Sequence, residues 1–252
     1  MVRRRKKFKN YKFNQKIGVI VIVLLIIYII GTLFFEQQMN SLYEDMGLFK
    51  DKVYYSTDVK NIPEYDGESK YVIINNNNPK FDSNDYNKEF ELYSDLDSLG
   101  RCGTAYANLS NKTMPTEERG NIGSIKPSGW HIIKYEGIDG NYLYNRCHLI
   151  GFQLAGENAN VKNLITCTRQ MNTGVMLSYE NLVANYIKKT GNHVLYRVTP
   201  VFKDKDLVAL GVQMEGYSIE DNGEGIKFNI FVYNVQDGIE INYENGESKK
   251  SK

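Results

Sequence analysis

Cysteine is scarce. Three residues (Cys102, Cys147 and Cys167) among 252 cannot build a disulfide framework, and the odd count leaves at least one thiol unpaired. One bridge in an oxidising compartment and three small buried hydrophobes both fit, and the second is the commoner use. No C-x₂-C pair exists, and Cys147 and His148 are adjacent, a spacing that rarely serves one ion, so a zinc site is not expected. Net charge is nearly absent at +1, and no internal repeat is visible. The near-neutrality is a sum of unlike parts. Residues 1–16 hold eight Lys or Arg and no acid, residues 36–100 hold fourteen acids against six bases, and residues 101–252 are almost balanced. Nineteen tyrosines and eleven phenylalanines exclude a disordered chain, and the length suits one good-sized domain with an appendage, or two small domains.

Residues 17–35 contain no charge (IGVIVIVLLIIYIIGTLFF). As a helix rising about 1.5 Å per residue they span roughly 28 Å, enough for a hydrocarbon core. The basic stretch before them predicts a cytoplasmic N-terminus at 1–16 and everything after Phe35 outside the membrane. A cleaved signal peptide is the competing reading. It is disfavoured because the exit, GTLFFEQQMN, lacks an A-x-A-like site and the apolar run exceeds the usual 7–15 residues.

Residues 36–69 are acidic, contain Pro63 and Gly67, and read as a stalk with a short helix near 36–46. A domain is expected over 70–245, followed by a tail at 246–252. Its first strand is Lys70–Ile74, stopped by four asparagines and Pro79, which suit a turn. The runs Val194–Phe202, Leu207–Ile219 and Ile226–Val235 predict an antiparallel meander. Between Ser178 and Lys189 the period changes. Tyr179, Leu182, Val183, Tyr186 and Ile187 mark one helical face, with Ser178 as N-cap and Gly191 after the end. The fold class is therefore α+β, few helices on a largely antiparallel sheet.

Residues 141–180 are densest in functional residue types. Asn141–Ile150 reads as a strand with Arg146 and His148 on one face, and Asn163–Thr166 as a returning strand. Asn172 then precedes the helix. Strand, loop, strand and helix, with His on the first strand and Asn near the helix, is the layout of a ββα-metal finger. The segment resembles the DNA/RNA non-specific endonucleases, in particular the membrane-bound DNA-entry nucleases of Gram-positive bacteria. Their Asp-Arg-Gly-His motif matches Asn145-Arg146-Cys147-His148. Their later asparagines and glutamate match Asn163, Asn172 and Glu180, and DSLGRCGTAYANL and PTEERGNIGSIKPSGWH agree upstream. Two departures stand out: Asn145 replaces Asp, removing a carboxylate near the metal's water shell, and Cys147 replaces Gly.

The resemblance implies an endonuclease of DNA, and of RNA as a second substrate, in which His148 is the general base. It implies one Mg²⁺ held through Asn172, with Mn²⁺ able to substitute, while Arg146 clamps a phosphate. Glu180 would hold metal-bound waters and Asn163 would orient the backbone or His148. Each residue has a plainer use. Asn172 suits a turn, Glu180 a helix dipole, Arg146 an ion pair and Asn163 a strand entry, while His131 and His193 have no catalytic surroundings. Charge argues the other way, since the region past Phe35 holds 23 bases against 30 acids. A phosphate track is nonetheless expected from Arg101, Arg119, Lys126, Arg146, Lys162 and Arg169. The alternative class is a membrane-tethered protein that binds nucleic acid without cutting it.

Overall fold

The computed structural model describes residues 62–251 and the backbone of a two-residue strand, β1 (Val53–Tyr54). The expected basic tail, membrane anchor and short helix near 36–46 lie outside the described residues. Among the described residues no helix is long and apolar enough to cross a membrane.

The remaining strands are β2 (Tyr71–Ile74), β3 (Glu91–Tyr93), β4 (Ala105–Leu109), β5 (Tyr144–His148), β6 (Leu164–Thr168), β7 (Val194–Val201), β8 (Gly211–Ser218), β9 (Lys227–Tyr233), β10 (Ile239–Ile241) and β11 (Ser248–Lys250). Six of them join β1 in one seven-stranded sheet, in the order β1-β2-β9-β8-β7-β4-β3. Only β1 and β2 run parallel. The expected meander is β7-β8-β9. Its middle strand starts at Gly211 rather than Leu207, because the amides of Leu207 and Val208 bond instead to the carbonyls of Glu244 and Tyr243. After β2, Asn75, Asn76 and Asn77 turn the chain with φ of 51°, 50° and 61°, a region asparagine tolerates better than most residues.

The helical segment begins earlier than its periodicity suggests. Thr168 is the N-cap, accepting at Oγ1 from the Met171 amide (3.1 Å). The chain passes from Arg169–Met171 through a π-helical turn at Asn172–Met176 and continues as Leu177–Thr190, ending at Gly191 with φ 76°. Ser178 is therefore not the cap. It lies inside the helix, and its hydroxyl donates to the carbonyl of Gly174, the residue where the turn departs from helical geometry.

This helix buries Tyr179, Val183, Ala184 and Ile187 against one face of the sheet. The Tyr179 and Phe228 rings meet edge to face with centroids 4.7 Å apart. Tyr196, Gly216 and Phe228 lie in one row across β7, β8 and β9. A Cβ at Gly216 would stand 2.4 Å from the Phe228 ring, so glycine there is a packing requirement. On the other face Ile74, Val201, Phe231 and Tyr233 gather Ile62, Tyr65, Val72 and Leu210. Tyr233 also donates its hydroxyl to the Pro63 carbonyl. Residues 62–69, expected as stalk, thus belong to the domain, because their apolar side chains complete its core. The expected tail is likewise partly folded: β11 pairs antiparallel with β10.

β5 and β6 form a separate antiparallel hairpin, and with the following helix they make the ββα unit. β5 begins at Tyr144 rather than Asn141, which closes a turn at φ 63°. One fully buried side chain fastens the hairpin to the sheet. Asn234 accepts from the Thr168 amide (2.8 Å) and donates to the carbonyls of Thr166 (3.2 Å) and Ala209 (3.0 Å). Asn234→Ala strands these groups without partners, at about 1–3 kcal/mol for each one left unpaired. The expected result is a urea midpoint lowered with an unchanged m-value.

Candidate active site

His148 is the last residue of β5 and is 6 % exposed. Its Nε2 lies 2.7 Å from the Asn158 carbonyl oxygen. A carbonyl only accepts, so Nε2 carries the proton and Nδ1 keeps its lone pair. Nδ1 in turn faces the Arg119 guanidinium, whose Nη2 is 3.5 Å away. Burial holds the imidazole pKa below its ordinary 6.5. The Asn158 hydrogen bond works against this, and the Arg119 charge adds to it. The ring is thus neutral at pH 7, with a lone pair available.

The loop after β5 is shaped by Asn163. Its amide oxygen accepts from the Ile150 amide and its amide nitrogen donates to the Ile150 carbonyl, both at 2.9 Å and fully buried. The Leu149 amide donates to the Asn163 carbonyl (2.8 Å). Asn163 therefore fixes the backbone just past His148, and its side chain makes no hydrogen bond to the ring.

Glu180 sits in the first turn of the long helix, buried, with Gln153 as hydrogen-bond partner. Burial pushes its carboxyl from 4.5 up to about 8, against the opposing pull of the Gln153 hydrogen bond and the Arg119 charge. A Cβ at Gly151 would stand 2.5 Å from Glu180 Oε2. The glycine three residues after His148 is thus the space in which the carboxylate lies, a role its place in the sequence did not reveal. Arg119 acts electrostatically on both His148 and Glu180, and so joins them.

Asn172 opens the π turn, a distortion that recurs at functional sites. It is partly exposed, and among the described residues its side chain makes no hydrogen bond. Its neutral oxygen and the buried Glu180 carboxylate are hard donors. Among the described residues no three of His, Cys, Asp and Glu gather as a metal cage. Such a sparse oxygen set fits an ion that keeps most of its waters, as Mg²⁺ does.

The other expected phosphate contacts are mostly engaged elsewhere. Arg169 donates twice to Asp139, Lys162 pairs with Asp95, and Arg101 binds Asp97 and the carbonyls of Asp204 and Asp206. Arg146 has no acid partner; it donates to the carbonyls of Ile125 and Gly123. Arg119 and Lys126 are exposed, and neither forms an ion pair among the described residues. The Asn145 amide nitrogen is buried without a partner, at a cost of about 1–3 kcal/mol that a carboxylate, having no donor, would avoid. Cys147 and Cys167 are joined in a disulfide across the hairpin (Cα–Cα 5.9 Å) where buried free thiols were the commoner expectation, and Cys102 is the free, buried one.

The sequence model of the DNA/RNA non-specific endonucleases matches residues 82–220, a span that includes every residue of this cluster. The chain belongs to that family. Its fold is similar to NucA from Streptococcus agalactiae, whose magnesium-bound crystal structure aligns at TM-score 0.64 with 25 % identity over 71 % of this chain and 87 % of that one. The same nuclease without metal aligns at 0.64 and 26 % identity over 77 % and 92 %. The zinc-bound Sda1 nuclease aligns at 0.55 and 27 % identity over 64 % and 81 %. A deoxyribonuclease of Streptococcus dysgalactiae subsp. equisimilis is 31 % identical over 111 residues, covering 42 % of this chain. The chain spans about a third of that relative's length.

Because Glu180 titrates near 8 when folded and near 4.5 when unfolded, the folded chain binds the extra proton between those values. Its contribution to stability is complete below 4.5 and is lost as pH rises through 8. In EDTA, Glu180→Gln should raise Tm well above pH 8 and change it little below pH 4.5. An equal change at both ends would show that the carboxyl is not desolvated.

Proposed function

We propose that this family member is a metal-dependent endonuclease that hydrolyses phosphodiester bonds of DNA, with RNA as a second substrate. The observation that carries the reading is the Nδ1 lone pair of His148, fixed by the Asn158 carbonyl and set beside the Arg119 cation. Nδ1 takes a proton from the attacking water, and burial keeps the ring unprotonated until that moment. Arg119 would hold a phosphate oxygen and offset the charge that builds up on it. Asn163 keeps the ring's backbone from drifting. Asn172 would hold one Mg²⁺, or Mn²⁺ in its place, with Glu180 ordering its waters. When bound, the ion supplies counter-charge for the phosphate and the departing 3′ oxygen.

The same reading places the enzyme outside the cell, tethered by residues 17–35. The basic-then-apolar N-terminus supports this, as does a disulfide beside the catalytic histidine, a bond suited to an oxidising compartment.

The test is plasmid nicking by the purified full-length chain with Mg²⁺, with Mn²⁺, with EDTA, and with His148→Ala. Cutting should require the metal and should fall by about 10²–10⁴ in the variant, the usual loss for a general base. If the wild type is silent with both metals while still shifting DNA in a gel, the protein binds without cutting and Asn145 and Cys147 have disabled the site. A second expectation concerns pH. The acid limb of kcat/KM should lie below the ordinary imidazole value of 6.5, and Arg119→Met should move it upward by removing a neighbouring positive charge.

A further inference from the structure

Arg146 occupies the motif position from which a phosphate clamp is expected, yet two of its donors, on Nε and Nη2, are bonded to the protein's own backbone. Nε donates to the Ile125 carbonyl, Nη2 donates to the Gly123 carbonyl (2.8 Å), and the guanidinium lies 4.0 Å from the Trp130 ring centroid. Its cross-strand partner Thr166 donates Oγ1 to the Ser128 carbonyl (2.8 Å). Two neighbouring side chains of the ββ hairpin thus grip three carbonyls within six residues of one loop.

That loop, residues 110–131, contains no helix or strand. Outside contacts set its course: Thr113 Oγ1 donates to the Leu154 carbonyl and Ser128 Oγ to the Leu207 carbonyl. Its middle carries Arg119, 3.5 Å from His148 Nδ1, and the exposed Lys126. Gly120 rides so close to Asn158 that a Cβ would stand 2.7 Å from its amide nitrogen, and Asn158 is the residue whose carbonyl holds His148.

We infer that Arg146 is a positioning residue. It acts through the 119–128 loop to hold Arg119 over the general base and does not itself grip the substrate. Arginine suits the task because its planar fork reaches two carbonyls while its face stacks on Trp130; lysine has a single point charge for the same work. The inference rests on the nuclease reading for its catalytic consequence, but the loop's dependence on Arg146 can be measured without any cutting.

The experiment compares wild type, Arg146→Lys, Arg146→Ala, Arg119→Ala and the Arg146→Ala/Arg119→Ala double variant, all as full-length protein. Trypsin cleavage after Arg119, mapped by mass spectrometry without DNA, should be about tenfold faster in both Arg146 variants. In nicking assays Arg146→Ala should lose kcat to the level of Arg119→Ala, and the double variant should lose little more, since both changes remove one function. The salt dependence of KM should change in Arg146→Ala only as far as it does in Arg119→Ala, with no further drop in the double variant, whereas a second direct phosphate contact at Arg146 would lower the double variant's slope by about one more. Arg146→Lys keeps the charge and guards against a global folding defect. Unchanged tryptic protection, with additive losses and a salt slope in the double variant lower than in either single variant, would overturn the inference and restore Arg146 as a phosphate clamp. Faster trypsin cleavage in the Arg146 variants, with a wild type that nicks nothing, would leave Arg146 as the residue that holds the loop and refute the nuclease reading.

Discussion

The double hydrogen bond between the Asn163 amide and the backbone of Ile150 is the constraint on which the site depends. The chain leaves β5 at His148, wanders through fifteen residues, and must return in register as β6. Asn163 closes that excursion with both halves of its amide, fully buried, where an unpaired group would be most costly. Closing it decides three things together. It sets the direction in which β5 releases His148, and it brings the loop round so that the Asn158 carbonyl reaches Nε2. It also leaves Gly151 as the open ground under the Glu180 carboxylate.

The electrostatics follow from that geometry. A histidine in the open would keep an ordinary pKa and both tautomers. Here burial lowers the pKa and a single carbonyl selects the tautomer. Glu180 experiences the opposite push, since burial penalises its charge and drives its carboxyl up to about 8. One desolvated pocket thus makes an imidazole less willing to accept a proton and a carboxyl less willing to release one. Arg119 tempers both, because its charge favours ionised Glu180 and disfavours protonated His148. A divalent cation at the hard oxygens of Asn172 and Glu180 would act on the carboxyl in the same direction.

Much of this was legible in the sequence, and the boundary has a physical reason. The meander, the hairpin and the helical face follow from local periodicity: β2, β5, β7, β8 and β9 fall inside the expected spans and β6 runs two residues past its expected end, while β1, β3, β4, β10 and β11 have no counterpart in the expectation. The Asn145–His148 motif with Asn163, Asn172 and Glu180 at their spacings pointed to the family that the comparisons established. What failed depended on contacts distant in sequence. Ser178 looks like a cap because the π turn at Asn172–Met176 breaks the pattern before it, while the true cap at Thr168 lies on the hairpin. Ile62 and Tyr65 look like linker because their partners, Phe231 and Tyr233, lie far along the chain. The Cys147–Cys167 bond needed the register of β5 against β6.

The basic residues show the same limit most clearly. Six were candidates for a phosphate track, and charge alone could not rank them. The structure ranks them by what each already holds. Arg169, Lys162 and Arg101 are matched to aspartates, and Arg146 is matched to carbonyls. Arg119 is left without a carboxylate partner, its Nη2 3.5 Å from His148 Nδ1. An acidic surplus past residue 35 is therefore compatible with a nuclease. On the proposed reading the requirement is not a basic surface as a whole but one guanidinium without a carboxylate partner, held beside His148.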